Sequence, residues 1–285
     1  NDNYLYMSNG GLYERGGGAE LVANPSGGID PVFSLANYVS PNGNNFLITN
    51  QDSTAYYYSS GWNNLSFSLT TDKKVRWENA GFEANRSIYG VNGIDPVIKI
   101  TGDIPVGSLV SDSPTDMIML KLHKNRLFGV NGKDTLYFTD VLDFEEWDTS
   151  VNTIEVAPGI DGDIFSIEIW GDALFIFKEY GVYVLPNADD PIPSENWSIL
   201  RSDASTGTRS TDSVKRTRVG IFYVSSDNYI RMISPSITFS SGEYSLGGSG
   251  SPIVSEDIQD DLINLWDTTE RANVQAISYK DLYIV

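Results

Sequence analysis

The tetrapeptide Gly-Val-Asn-Gly occurs twice in this chain, at Gly90-Val91-Asn92-Gly93 and Gly129-Val130-Asn131-Gly132, with starts 39 residues apart. Each copy joins two short apolar runs. Leu127-Phe128 precedes the second copy and Thr135-Leu136-Tyr137-Phe138 follows it; Ile88-Tyr89 precedes the first and Pro96-Val97-Ile98-Lys99-Ile100 follows. Asn and Gly tolerate positive φ, so each copy reads as the turn of a β-hairpin. A hairpin unit that recurs about every 40 residues suits the blades of a β-propeller better than a single sandwich. The tetrapeptide is therefore scaffold and not a ligand cradle.

Hairpins of the same style recur along the chain. Tyr4-Leu5-Tyr6-Met7 and Leu12-Tyr13-Glu14 flank Asn9-Gly10-Gly11, and Glu20-Leu21-Val22-Ala23 adds a third run. Runs at 32–35, 46–49, 55–58 and 65–69 supply four strands, one blade's worth, and a further blade centres on 86–101. Two more follow at 117–156 and 164–200, the second as 164–170, 173–178, 181–185 and 197–200. The next has 220–225 and 229–233 around Ser226-Asp227-Asn228, and a last copy begins at 274–278 and 282–285. Second strands thus fall near 4, 46, 87, 127, 173, 220 and 281, with the first and last copies incomplete. The expectation is one all-β domain over 1–285, a β-propeller of six to seven four-stranded blades closed by its two ends.

An insertion at 236–272 breaks the pattern. Residues 242–252 form a Gly/Ser-rich loop, and in 254–266 Ile258, Leu262, Ile263 and Trp266 fall at helical spacing. Ser255 suits the N-cap of that helix, with Glu256 and Asp257 in its first turn. The helix is expected to cap a blade edge or dock a neighbour.

Composition narrows the function. The 285 residues are 40% hydrophobic and 12% aromatic, enough for a large core. No cysteine is present, which removes disulfides, thiolate nucleophiles and cysteine metal sites. The formal charge is −19, from 38 acidic against 19 basic residues. Sequence-independent DNA binding needs clustered Lys and Arg, so that class is disfavoured. No apolar run approaches the roughly 20 residues of a membrane helix, so no membrane span is expected. The chain opens on Asn1 without a basic-apolar leader, which reads as no signal peptide and as a processed or partial chain.

Candidate chemistry is sparse, and no catalytic, cofactor or metal residue is assigned. His123 is the sole histidine and lies in an apparent strand, where a structural role outweighs catalysis; one imidazole cannot build a histidine metal cluster. Paired carboxylates could serve glycosidase chemistry, the candidates being Asp161 with Asp163, or Glu145 with Glu146 before Trp147. Asp161 and Asp163 lie in a Gly-rich loop, where short acidic residues close turns. The Asp-box of propeller sialidases is not matched at 59–62 or 139–147, and Trp147-Asp148 and Trp266-Asp267 lack the partners of a WD40 repeat. Gly16-Gly17-Gly18 and Gly247-Gly248-Ser249-Gly250 lack the residues of a phosphate loop. Arg201, Arg209, Lys215, Arg216 and Arg218 form a basic stretch that could pair with an acidic face of a neighbouring subunit, joined as interface candidates by Ile258, Leu262 and Trp266.

Three stretches together resemble the β-propeller virion proteins of tailed bacteriophages, found in the neck and tail. They are Asn125-Arg126-Leu127-Phe128-Gly129 through Leu136-Tyr137-Phe138-Thr139-Asp140 to Glu146-Trp147, then Gly171-Asp172-Ala173-Leu174-Phe175-Ile176-Phe177-Lys178-Glu179-Tyr180-Gly181-Val182-Tyr183, then Val254-Ser255-Glu256-Asp257-Ile258-Gln259-Asp260 with Arg271-Ala272 and Tyr279-Lys280-Asp281-Leu282-Tyr283. The resemblance spans most of 117–285; residues 1–116 share only the hairpin style. It implies a non-enzymatic structural subunit of a tail or neck ring or nozzle in the virion, assembled in the bacterial host cytoplasm. Its partners would be copies of itself and other tail or neck proteins, and it brings no cofactor and no catalytic residues. In that setting an acidic lumen would repel DNA phosphate and let the genome pass without specific binding. The rival reading is a glycan-binding or glycan-hydrolysing propeller, supported by 16 Tyr, 6 Trp and the carboxylates, which needs aromatic and acidic residues converging on one exposed pocket.

Overall fold

Within each blade, short β-prone runs pair in chain order, each with the next, most of them across short turns. The computed structural model describes residues 4–6, 12–14, 25, 32–186, 188, 197–240, 243–248, 250–258, 271–279 and 282–285. A hairpin of β1 (Tyr4–Tyr6) and β2 (Leu12–Glu14) comes first. The first blade is β3 (Val32–Val39), β4 (Asn45–Gln51), β5 (Thr54–Tyr58) and β6 (Trp62–Ser68). The second is β7 (Arg76–Ala80), β8 (Ser87–Val91), β9 (Ile98–Thr101) and β10 (Val106–Leu109). The third is β11 (Met119–His123), β12 (Arg126–Val130), β13 (Thr135–Phe138) and β14 (Thr153–Glu155). The fourth is β15 (Ile164–Trp170), β16 (Ala173–Lys178), β17 (Val182–Leu185) and β18 (Leu200–Arg201). Each is a four-stranded antiparallel sheet with neighbours in sequence order.

First strands stand side by side: β3 against β7, β7 against β11, and β11 against β15. Sequential four-stranded meanders whose first strands adjoin around a common axis make a β-propeller. The packing explains why β8, β12 and β16 are buried along their whole length rather than at alternate positions. Side chains alternate between the two faces of a strand, and the second, third and fourth blades each have a neighbour on both faces. Leu127 of β12 joins Val91 and Val97 between the second and third blades, while Phe128 joins Leu174 and Ile176 between the third and fourth. Phe175 and Phe177 of β16 point the other way, onto Ile221 and Tyr223.

The two Gly-Val-Asn-Gly copies occupy the same place in consecutive blades, at the ends of β8 and β12. Val91 and Val130 are buried. Asn92 Oδ1 accepts the amides of Ile94 (3.1 Å) and Asp95 (2.8 Å); Asn131 Oδ1 accepts those of Lys133 (3.0 Å) and Thr135 (3.1 Å). The closing glycines, Gly93 and Gly132, have φ of 82° and 68°, the left-handed region an L side chain resists. The opening glycines matter for space: a Cβ on Gly90 would meet Trp77 and Val75, and one on Gly129 would meet Met117.

The fifth blade departs from expectation. It comprises β19 (Lys215–Arg216), β20 (Ile221–Val224) and β21 (Ile230–Ile233), with β15 against β19. Its outer position is filled by residues 252–254: Arg231 bridges Ile253, Met232 N–H donates to Pro252 O (3.2 Å), and Val254 N–H donates to Ile230 O (2.9 Å). The Gly/Ser-rich region expected as a loop instead carries a hairpin, β22 (Ser236–Ser240) with β23 (Glu243–Gly247), placed between the blade's third and outer strands. Ile237 and Leu246 pack it onto the core between the fourth and fifth blades. The helix expected at 254–266 is described only at its start, where Glu256–Ile258 forms a 3-10 turn; Leu262, Ile263 and Trp266 lie outside the described residues. Ser255 Oγ accepts the amide of Ile230 (3.0 Å), tying this segment to the blade.

The last hairpin is β24 (Ile277–Tyr279) with β25 (Leu282–Ile284). It docks on the fifth blade: β24 lies beside β19, Tyr283 stacks on Phe222 at 5.4 Å, and its hydroxyl donates to Ser213 O at 2.6 Å. Among the described residues no helix is long and apolar enough to cross a membrane.

Candidate functional site

A cavity of about 940 Å³ lies at the axis, bounded by first strands and by the last hairpin. Lys74, Arg76 and Glu78 alternate along β7 and the residues just before it, so the period of two sets them on one side. Lys121 of β11 enters beside them, and Asp212 and Lys215 enter from the fifth blade.

Asp212 is the hub. It accepts Arg76 Nε (2.9 Å) and Nη2 (2.8 Å) together with Lys74 Nζ (3.1 Å). Burial pushes its carboxyl up, but the Arg76 and Lys74 charges outweigh burial and hold it below the usual carboxylate range. Lys121 Nζ donates to Glu168 Oε2 at 3.0 Å; burial pulls the Lys121 ammonium down, but the Glu168 and Glu78 charges outweigh it and leave the group above the ordinary lysine value. Glu78 accepts the Leu122 amide at 3.2 Å, and its desolvation raises its carboxyl. Lys215 is held low, by burial first and by Lys121 next. Among the described residues no hydrogen bond or ion pair reaches its ammonium.

A second cavity, of about 450 Å³, lies between the second and third blades. Phe82, Tyr89 and Phe144 line it with Lys99, Asp143 and Glu145. Phe82 is 55% exposed, Lys99 pairs with Glu145, and the rings of Tyr89 and Phe144 stand 6.1 Å apart. Burial and then the nearby Glu145 push the Tyr89 hydroxyl well up. Of the carboxylate pair anticipated at Glu145 and Glu146, only Glu145 enters the cavity; Glu146 is exposed elsewhere.

The other anticipated residues have structural partners. Asp161 has a φ of 59°, as a turn residue, and accepts Arg201 Nε (2.8 Å) and Tyr183 hydroxyl (2.7 Å). Those bonds hold its carboxyl below the ordinary range. His123 ends β11, buried, with Nε2 3.1 Å from Asp172 O. The basic stretch is dispersed: Arg201 pairs with Asp161, Arg209 with Glu179, Lys215 turns to the axis, Arg216 lies over Trp170 at 6.0 Å, and Arg218 is exposed. Arg209 also meets the Tyr180 hydroxyl at 2.9 Å. Ile258 closes the 3-10 turn, and Leu262 and Trp266 are not among the described residues. Among the described residues no group of three or more His, Cys, Asp or Glu could hold a metal ion.

The axial cluster was not anticipated. Its one local signal is the alternation of charge in Lys74-Val75-Arg76-Trp77-Glu78, unusual for a strand that lies inside.

No protein-family model matches the chain, and no curated protein sequence matches it. Among solved structures it is similar to the computationally designed Ika8 protein, at 12% identity and TM-score 0.49, over 81% of this chain and 72% of that one. It is also similar to Hsv2 of Kluyvelomyces marxianus, at 12% identity and TM-score 0.43, over 79% and 74%. A chain of a mitotic checkpoint complex aligns at 12% identity and TM-score 0.45, over 84% and 86%. The propeller class rests on the strand order described above and not on these likenesses.

Proposed function

We propose that this chain is a non-enzymatic docking subunit of a tailed-phage virion, a tail or neck ring or nozzle component that contacts copies of itself and other virion proteins. The observation that carries the docking role is the outer edge of the second blade. Ile104, Val106 and Leu109 are 72%, 63% and 40% exposed there, and β10 is the terminal strand of its sheet. An outer strand that presents apolar side chains is a ready edge for another chain. The ordered resemblance at 125–147, 171–183 and 254–283 supplies the class of particle. The acidic balance of the chain suits a channel that DNA must traverse without sticking.

Mass spectrometry of purified particles tests this reading. The chain should be present at a fixed copy number set by ring symmetry, and its absence from particles overturns the proposal. Val106→Lys should in addition block incorporation while leaving the isolated chain folded.

The lateral cavity favours a second reading, a glycan-binding propeller. Phe82 and the carboxylates of Asp143 and Glu145 converge there, the combination a sugar site needs. Saturation-transfer NMR against an oligosaccharide panel discriminates the two: a signal that Phe82→Ala abolishes supports the glycan reading.

A further inference from the structure

The docking reading makes no use of the axial cavity, which has a charge inconsistent with the rest of the chain. Lys74, Arg76, Lys121 and Lys215 reach it against Glu78 and Asp212, with Glu168 beside Lys121, although the whole chain carries −19. Asp212 is shared by Arg76 and Lys74, and Glu168 is matched by Lys121. Lys215 is the remaining cation, facing the cavity beside Lys121 and Lys74; the Asp212 and Glu168 carboxylates attract it from a distance, but neither forms an ion pair with it, and burial and the neighbouring ammoniums outweigh them. A desolvated ammonium next to two others is unfavourable on its own and is relieved by a bound anion.

We propose that the axial cavity binds a small oxyanion of the phosphate type, with Lys215 as the main contact and Lys121 and Lys74 completing a cationic wall. Lys74, Arg76, Lys121 and Lys215 against Glu78, Asp212 and Glu168 leave the cluster with an excess of one positive charge. A phosphate group, which carries between one and two negative charges near neutral pH, offsets that excess. Ammonium-to-phosphate hydrogen bonds are charge-assisted, and walls of low dielectric focus the field on the cavity. The volume of about 940 Å³ is much larger than a phosphate ion and leaves room for the organic part of a small phosphate ester.

The test is isothermal titration calorimetry on the whole chain with inorganic phosphate, at ionic strength held constant with chloride. Saturable binding at one site is expected, and Lys215→Met should weaken it by about tenfold or more, the loss of one charge-assisted hydrogen bond. Lys133→Met, an exposed lysine away from the cavity, should leave the affinity unchanged. Lys215→Met and Lys215→Gln remove a desolvated charge, so their melting temperatures should equal or exceed that of the parent, which separates lost binding from lost folding. Heat that does not saturate, or equal weakening by Lys215→Met and Lys133→Met, would mean diffuse attraction only and overturn the site. Acetate binding as tightly as phosphate would overturn the choice of anion. Glucose 6-phosphate matching inorganic phosphate would support the site and identify an ester as an acceptable source.

Discussion

Lys178 offers the sharpest test of how the blades are held together. It ends β16, its side chain is 0% exposed, and its ammonium donates to Asp134 Oδ1 (2.6 Å), Val156 O (3.0 Å) and Ala157 O (3.0 Å). All three acceptors belong to the end of the third blade, so one side chain of the fourth blade clips the two together. Lys178→Met keeps the apolar stem but leaves a carboxylate and two carbonyls without their donor. Removing one partner of a buried pair costs about 3–5 kcal/mol. Asp134 is 26% exposed, so water recovers part of its solvation, and the lower end, about 3 kcal/mol, is expected. At about 2 °C per kcal/mol for a chain of this size, the melting temperature should fall by about 6 °C. Urea titration and calorimetry measure both, and a cycle with Asp134→Asn should show coupling of about 1.5 kcal/mol or more.

The acid limb of the same clip has a definite sign. Burial raises the Asp134 carboxyl, but the bonds from Lys178 and from the Gly159 amide outweigh it, so the folded pKa lies below the unfolded one. The contribution is therefore full above about pH 4 and is lost as pH falls through the folded pKa. Lys178→Met should flatten that limb. A loss under about 1 kcal/mol at pH 7, or strict additivity with Asp134→Asn, would refute the clip.

Three further outcomes are expected. Gly129→Ala forces a methyl against the buried Met117 sulfur and should cost about 1–3 kcal/mol in urea titration, the usual range for overpacking. Gly207→Ala should be worse, about 3 kcal/mol or more by the same assay, because its Cβ would collide with the backbone carbonyls of Lys178 and Gly181, which cannot swing aside. Asp212→Asn should destabilise by about 3 kcal/mol at pH 7, and the difference should shrink as pH falls through the depressed folded pKa of Asp212, measured by urea titration at pH 7 and pH 3.

The legible parts of the fold are those where a local pattern coincides with its tertiary cause. The third and fourth blades could be read strand by strand, because strands with a neighbour on both faces become apolar runs such as Ala173–Lys178. Gly-Val-Asn-Gly was legible as a turn because its Asn and closing Gly act locally. Strands were missed where composition pointed elsewhere. Arg76–Ala80 has no apolar run, since its outward positions serve the axis, and Lys215–Arg216 is two charged residues long. The hairpin at 236–247 was hidden by its Gly and Ser content, and the outer strand at 252–254 by Pro252, which the sheet accepts only because it lies at an edge. The axial cluster showed in the sequence only as the charge alternation at 74–78: Arg76 and Asp212 are 136 residues apart, and only the stacking of the second through fifth blades brings them together. Of the carboxylates singled out, Asp161 reached its expected turn, while Glu145 gained its pocket from Phe82 and Tyr89 of another blade.

That separation between Arg76 and Asp212 bears on time as well as on stability. Joining two points so distant along a chain costs about 4 kcal/mol of loop entropy unless the intervening blades are already built. The bond is therefore expected to close late, after the second through fourth blades have stacked neighbour on neighbour, and a φ-value near zero for Arg76→Met would show its absence from the folding transition state. Contacts of that kind leave the refolding rate almost untouched and set how slowly the native ring reopens. On that order of events the Asp212 hub acts as a latch on the stacked blades, and its loss should show in the unfolding rate more than in the refolding rate.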